Sequence, residues 1–85
     1  SYTYGGTISG YVKDIDSETK RVLIDCDTLG EAVVKAKEDQ YKLNVFMIDR
    51  SKKGIEILDF SDVTKGDFVV ATLHFACLEN LIIIR

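Results

Sequence analysis

The sequence predicts a mostly β domain: a small antiparallel barrel of five to six strands with one short helix near 29–40. Three observations carry this. Apolar and polar residues alternate in several short windows, the period of a half-buried strand. The windows recur at about ten-residue intervals and are separated by turn-forming residues. A long β-branched run from Phe68 follows the polar turn Phe60-Ser61-Asp62-Val63-Thr64-Lys65-Gly66-Asp67, whose one glycine suits a chain reversal.

The elements follow in order. Residues 1–6, with the Gly5-Gly6 pair, read as a flexible N-terminal arm. From Thr7 to Asp14, Ile8, Gly10 and Val12 share one face, and Ser9, Tyr11 and Lys13 the other. The turn Asp16-Ser17-Glu18-Thr19 leads into Lys20–Cys26, where Val22, Ile24 and Cys26 align, so the two strands form a hairpin. The period then changes. Leu29, Ala32, Val33, Ala36 and Gln40 recur at three and four, which predicts an amphipathic helix. Thr28 with Glu31 resembles a capping box, and Glu31 and Lys35 form an i, i+4 pair. Gly30 argues the other way. The alternative is an irregular loop that returns to a strand through 31–37, where Ala32, Val34 and Ala36 also alternate.

Tyr41–Ile48 is a third strand, with Tyr41, Leu43, Val45 and Met47 on one face. After the charged turn Asp49-Arg50-Ser51-Lys52-Lys53-Gly54, Ile55–Phe60 is a short fourth strand. Val69, Ala71, Leu73, Phe75 and Cys77 place the core face of the strand Phe68–Cys77. Leu78-Glu79-Asn80 reads as a tight turn and Leu81–Ile84 as the closing strand.

Composition bounds the rest. The 85 residues support one domain, 1–85, and carry a net charge of -3. That balance disfavours a dedicated nucleic-acid backbone binder, which needs excess Lys and Arg to displace counterions. No apolar run approaches a membrane span. Proline is absent, so no strand edge is guarded by it. The chain starts at Ser1 rather than Met, as a processed or trimmed terminus would, and a cleaved export signal is one expectation.

Gly6-Thr7-Ile8-Ser9-Gly10-Tyr11-Val12, then Ser61-Asp62-Val63-Thr64-Lys65-Gly66-Asp67-Phe68-Val69-Val70, then a closing apolar strand, resemble small bacterial domains of unknown function with an oligonucleotide/oligosaccharide-binding-like (OB-like) β-barrel. The resemblance covers about half the chain. It implies an OB-like fold and an exported setting, and it brings no functional residues with it. The 28–40 segment departs from the compact hairpins of those domains, and a helix between the second and third strands departs from the usual barrel, which carries it one strand later.

Candidate chemistry is sparse. Cys26 and Cys77 lack a Cys-x-x-Cys neighbour, so they read either as two buried thiols or as a disulfide tying the first hairpin to the long strand, which would need an oxidising compartment. His74 is the only histidine and falls on an outward face. Asp14, Asp16, Glu18, Asp25 and Asp27 cluster in sequence, but Thr19 and Asp25 occupy the sixth and twelfth positions where a calcium loop needs Gly and Glu. No phosphate loop, nucleophile elbow or zinc-helix motif occurs. The expectation is a non-enzymatic module with no cofactor and no metal.

Two functions follow. The first is an exported interaction module that assembles with itself or an envelope protein partner through strand edges. The alternative is a barrel that binds single-stranded nucleic acid or another polyanion through Tyr11, Lys13, Lys42, Asn44 and Phe46, rings stacking on bases and amines meeting phosphates. Gly66 and Asp67 are read as structural: Gly66 supplies a positive φ and Asp67 begins the ladder.

Overall fold

The computed structural model describes residues 6–26, 30–36, 43–75 and 77–85. Within them lie strands β1 (Gly6–Asp16), β2 (Arg21–Cys26), β3 (Gly30–Lys35), β4 (Asn44–Ile48), β5 (Glu56–Leu58), β6 (Phe68–His74) and β7 (Cys77–Ile84). They form one sheet in the order β3-β2-β1-β6-β7-β4-β5. All neighbours are antiparallel except β4 and β7, which run parallel. Over the described residues the sheet is therefore mixed, with seven strands, rather than antiparallel with five to six.

The expected helix near 29–40 is replaced over residues 30–35 by β3, and residues 29 and 37–40 lie outside the described residues. The segment carried both periods, and its partner decided between them. Val22 and Ile24 of β2 stand opposite Val34 and Ala32, which aligns Val34 with a fully buried face. Two β-branched neighbours, Val33 and Val34, also favour the pleated surface. Glu31, assigned to a helix cap, instead meets Lys13 across the sheet. Gly6 belongs to β1, while residues 1–5 of the expected arm lie outside the described residues.

Leu78-Glu79-Asn80 is not a turn. β7 already begins at Cys77, and β6 ends at His74. Phe75, at φ 49, lies in the reversal between them, and a register shift at Thr72/Leu73 accommodates it. The expected fourth strand shortens to β5 and gives way to a single 3-10 turn, Phe60–Asp62.

The sheet buries one face. Val12, Val22, Ile24 and Val34 share a single cluster with Val45, Val69, Leu81 and Ile83. Strands from both ends of the sheet thus contribute to one core. The bridge Ala36–Leu78 sets the end of β3 beside the start of β7. Phe60 and Val63, from the 3-10 turn and the loop after it, pack into the same cluster, and the Lys20 ammonium sits 5.1 Å above the Phe60 ring.

β1 pairs with β2 on one side and β6 on the other. At Gly10 the β2 backbone comes so close that an added Cβ would lie 2.0 Å from the Asp25 carbonyl oxygen. Two residues on, a bulge between Val12 and Asp14 leaves Lys13 as the extra residue, so the inward face passes from Val12 to Ile15.

Cys26 and Cys77 are not joined, which corrects the disulfide expectation. Cys26 is level with Gly10 and, through it, with Val69, whereas Cys77 stands opposite His74. Val69 to His74 alone spans roughly 16 Å at the rise of a strand. A disulfide needs Cα atoms within about 7 Å. The case for an oxidising compartment that rested on this bond goes with it. Thermal unfolding is expected to be the same with and without reductant, and the intact mass to match two thiols; a reductant-dependent melting point would contradict this geometry.

Candidate interaction surface

The even positions of β6, and those of β7 from Asn80 on, point away from the core, yet Phe68, Val70, Ile82 and Ile84 among them are apolar. Register arranges them in rows. One row runs Ile57, Phe46, Ile82 and Val70 across β5, β4, β7 and β6. The next runs Ile48, Ile84, Phe68 and Tyr11 across β4, β7, β6 and β1. A third row is polar: Asn44 Nδ2 donates to Asn80 Oδ1 at 3.0 Å, and Asn80 Nδ2 donates to Thr72 Oγ1 at 2.8 Å. The outer face is thus two aliphatic-aromatic rows bordered by an amide and hydroxyl ladder.

No described element lies over these rows. Most members are half-buried by their own neighbours, but exposure rises toward both ends, to 56% at Tyr11 and 82% at Ile57. Tyr11 and Phe68 meet edge to face with centroids 5.2 Å apart. With Ile84 and Arg50 they line a hollow of about 280 Å³ on this face. A contiguous apolar surface of this kind, rimmed by polar groups, marks a contact site more often than scattered exposed apolar residues do.

The sequence-predicted site residues distribute as follows. Tyr11 and Phe46 are on this outer face, with β6 and β7 between their strands. Asn44 is in the polar ladder. Lys13 sits at the β1 bulge, and its ammonium binds the Glu31 carboxylate; that hydrogen bond and charge raise the Lys13 pKa above its ordinary value. Lys42 lies outside the described residues. The ground between the two rings is filled by Phe68, Val70, Ile82 and Ile84, which sequence reasoning did not assign to a site. The signal was present: Phe68–Leu73 and Leu81–Ile84 are apolar at both parities, as happens when both faces of a strand meet apolar partners.

Acidic residues have local work. Asp16 Oδ1 accepts from the Glu18 and Thr19 amides at 3.0 and 3.2 Å. The Thr19 bonds come first in holding its carboxyl below the ordinary range. Asp14 lies 3.5 Å from the Lys65 ammonium. Among the described residues no group of three or more His, Cys, Asp or Glu could hold a metal ion. His74 is exposed and packs edge-on against Phe75.

The turn at Gly66 and Asp67 fastens three elements to one another. Gly66 takes φ +91 and donates its amide to the Val12 carbonyl, and the Val12 amide donates to the Asp67 carbonyl. The Asp67 carboxylate is buried. It accepts Arg85 Nε at 3.0 Å on one oxygen and Arg85 Nη2 at 3.0 Å on the other, with the Thr64 amide at 3.0 Å and its hydroxyl at 3.1 Å also on the second. Burial alone would push this carboxyl up; the Arg85 and Thr64 donors outweigh it and hold it below the ordinary value. Arg85 in turn ties β7 to β4, its amide donating to the Ile48 carbonyl at 2.9 Å. This network joins the Thr64–Asp67 turn, β1 and the C-terminal end of β7.

Among the described residues no helix is long and apolar enough to cross a membrane. Comparison with protein-family models, with curated proteins and with solved structures returns no match.

Proposed function

We propose that this chain is a non-enzymatic interaction module that docks a protein partner on the outer face of β6, β7, β4 and β5. The observation that carries the reading is the paired rows Ile57-Phe46-Ile82-Val70 and Ile48-Ile84-Phe68-Tyr11, apolar on the side of the sheet opposite the core. Burying such rows against a partner releases water at about 25 cal/mol per Å². The polar ladder of Asn44, Asn80 and Thr72 fixes where that partner stops. The aromatic-lysine polyanion reading has weaker support, because Lys13 is engaged by Glu31.

In the same reading, β1, β2, β3, β6 and β7 form a partly open OB-like barrel, with the β4–β5 hairpin as an addition beside β7. The Ala36–Leu78 bridge and the close approach at Gly10 support that curvature.

The test is selection of random peptides on the folded protein, followed by titration against variants. Ile82→Ser and Phe46→Ser are expected to weaken the selected apolar peptides at least tenfold, while Glu18→Gln, on the distant β1–β2 turn, leaves them unchanged. Peptides whose affinity ignores both face variants, or a library that yields no binder, would overturn the reading.

A further inference from the structure

The row through Phe46 and Ile82 ends at β5, which among the described residues is paired on one side only. Its residues and flanks read Lys52-Lys53-Gly54-Ile55-Glu56-Ile57-Leu58-Asp59-Phe60-Ser61-Asp62. Positive charge stands before the strand and negative charge after it. Ile55 and Ile57 are 64% and 82% exposed, although each is large and apolar.

We infer that a second copy of this chain pairs with β5 in antiparallel fashion across a two-fold axis, Ile57 facing Ile57 of the other copy; the inference rests on the reading of this face as a docking surface. Charge selects the direction. Antiparallel pairing brings Lys52 and Lys53 of each copy toward Asp59 and Asp62 of the other, twice per dimer, whereas parallel pairing sets lysine against lysine. Side-chain parity selects the register. An odd position must face an odd one for the outer rows to continue from copy to copy. Centring the axis on Ile57 does this and sets Glu56 opposite Leu58, while centring it on Glu56 would oppose two carboxylates.

A two-fold contact of this kind is self-complementary and closed, so it ends at a dimer. Three strand residues supply few main-chain bonds, and the isoleucines supply most of the apolar burial. The interface therefore falls at the small end of the range for specific contacts. The other outer strand, β3, is less suited, since Glu31 there is spent on Lys13. Pairing through β5 also doubles the apolar face.

The experiment is sedimentation equilibrium of the whole chain up to millimolar concentration, at low and high salt, with circular dichroism confirming the fold of each variant. The wild type is expected to dimerise, several-fold less tightly at high salt. I57K is expected to be monomeric and K53E to dimerise at least tenfold more weakly, both with unchanged spectra. I57C is expected to form a disulfide-linked dimer through residue 57 under mild oxidation. A wild type that stays monomeric, or an I57K that dimerises as well as wild type, overturns the pairing. If peptides selected on the face still lose affinity in Ile82→Ser while the wild type is monomeric, the self-pairing falls and the docking face stands; if they do not, both fall.

Discussion

Gly10→Ala is expected to cost about 3–5 kcal/mol, a large share of the stability of an 85-residue domain. The cause is specific. The new methyl carbon would sit 2.0 Å from the Asp25 carbonyl oxygen and 2.7 Å from its carbon. Both are backbone atoms of β2, fixed by the ladder to β1 and to β3, and they cannot swing aside as a side-chain tip would. Relief requires β1 and β2 to separate at the Gly10–Cys26 pair. Gly54→Ala is the control. At φ +89 it meets nothing within 4 Å, so only left-handed strain of about 1–2 kcal/mol is expected. Urea unfolding of the two variants checks the contrast; a Gly10→Ala cost no larger than that of Gly54→Ala would refute the close approach.

The second large effect lies at Asp67. Asp67→Asn removes the charge that two guanidinium nitrogens of Arg85 meet and leaves that cation against a neutral amide. Breaking a fully buried pair costs about 3–5 kcal/mol, but Arg85 is partly open to water, which brings the expectation to about 2–3 kcal/mol. The dependence on pH has a definite sign. The folded carboxyl titrates below its unfolded value, so its contribution is complete above that unfolded value of about 3.9 and is lost as pH falls through the lowered folded value. Wild-type stability is therefore expected to drop on acidification through that window, and Asp67→Asn to lack this component of the drop. Denaturant melts of both proteins between about pH 2 and 6 test it. An identical acid limb in the two would show that Asp67 does not carry this linkage. Arg85→Gln is expected to cost a similar amount, with the double variant costing well short of the sum, since both single changes break one contact.

Much of the fold is legible in the chain, and the exceptions share a cause. Val12, Val22, Ile24, Val45, Val69 and Ala71 are buried as their alternation predicts. That signal is local, because strand parity is set by each strand itself. At 30–36 local periodicity was compatible with two elements, and the identity of the neighbour settled the outcome. At 78–80 a turn-like composition was overridden by the ladder to β6, which pairs Leu78 with Leu73 and Asn80 with Thr72. The parallel pairing of β4 with β7 leaves no mark on either strand, because parity is the same for both directions. The same holds for the site. Tyr11 and Phe46 could be assigned to outward faces one strand at a time. Their joining through Phe68, Val70, Ile82 and Ile84 depends on sheet order, and the meeting of Asp67 with Arg85 depends on where β7 inserts.

The parallel contact has a kinetic consequence. β6 and β7 are joined by a short reversal, so their antiparallel ladder closes a small loop, whereas docking β4 on β7 brings together residues as distant as Phe46 and Ile82. Loop closure is paid before such non-local contacts return anything, so the hairpin has the cheaper route to formation and the β4 strand the costlier one. In the interval β7 offers an unpaired backbone edge bearing Ile82-Ile83-Ile84, a short β-branched stretch without charge or proline of the kind that recruits identical strands. The arrival of β4 closes that edge. Refolding yield is therefore expected to fall as chain concentration rises, which light scattering during dilution from denaturant checks.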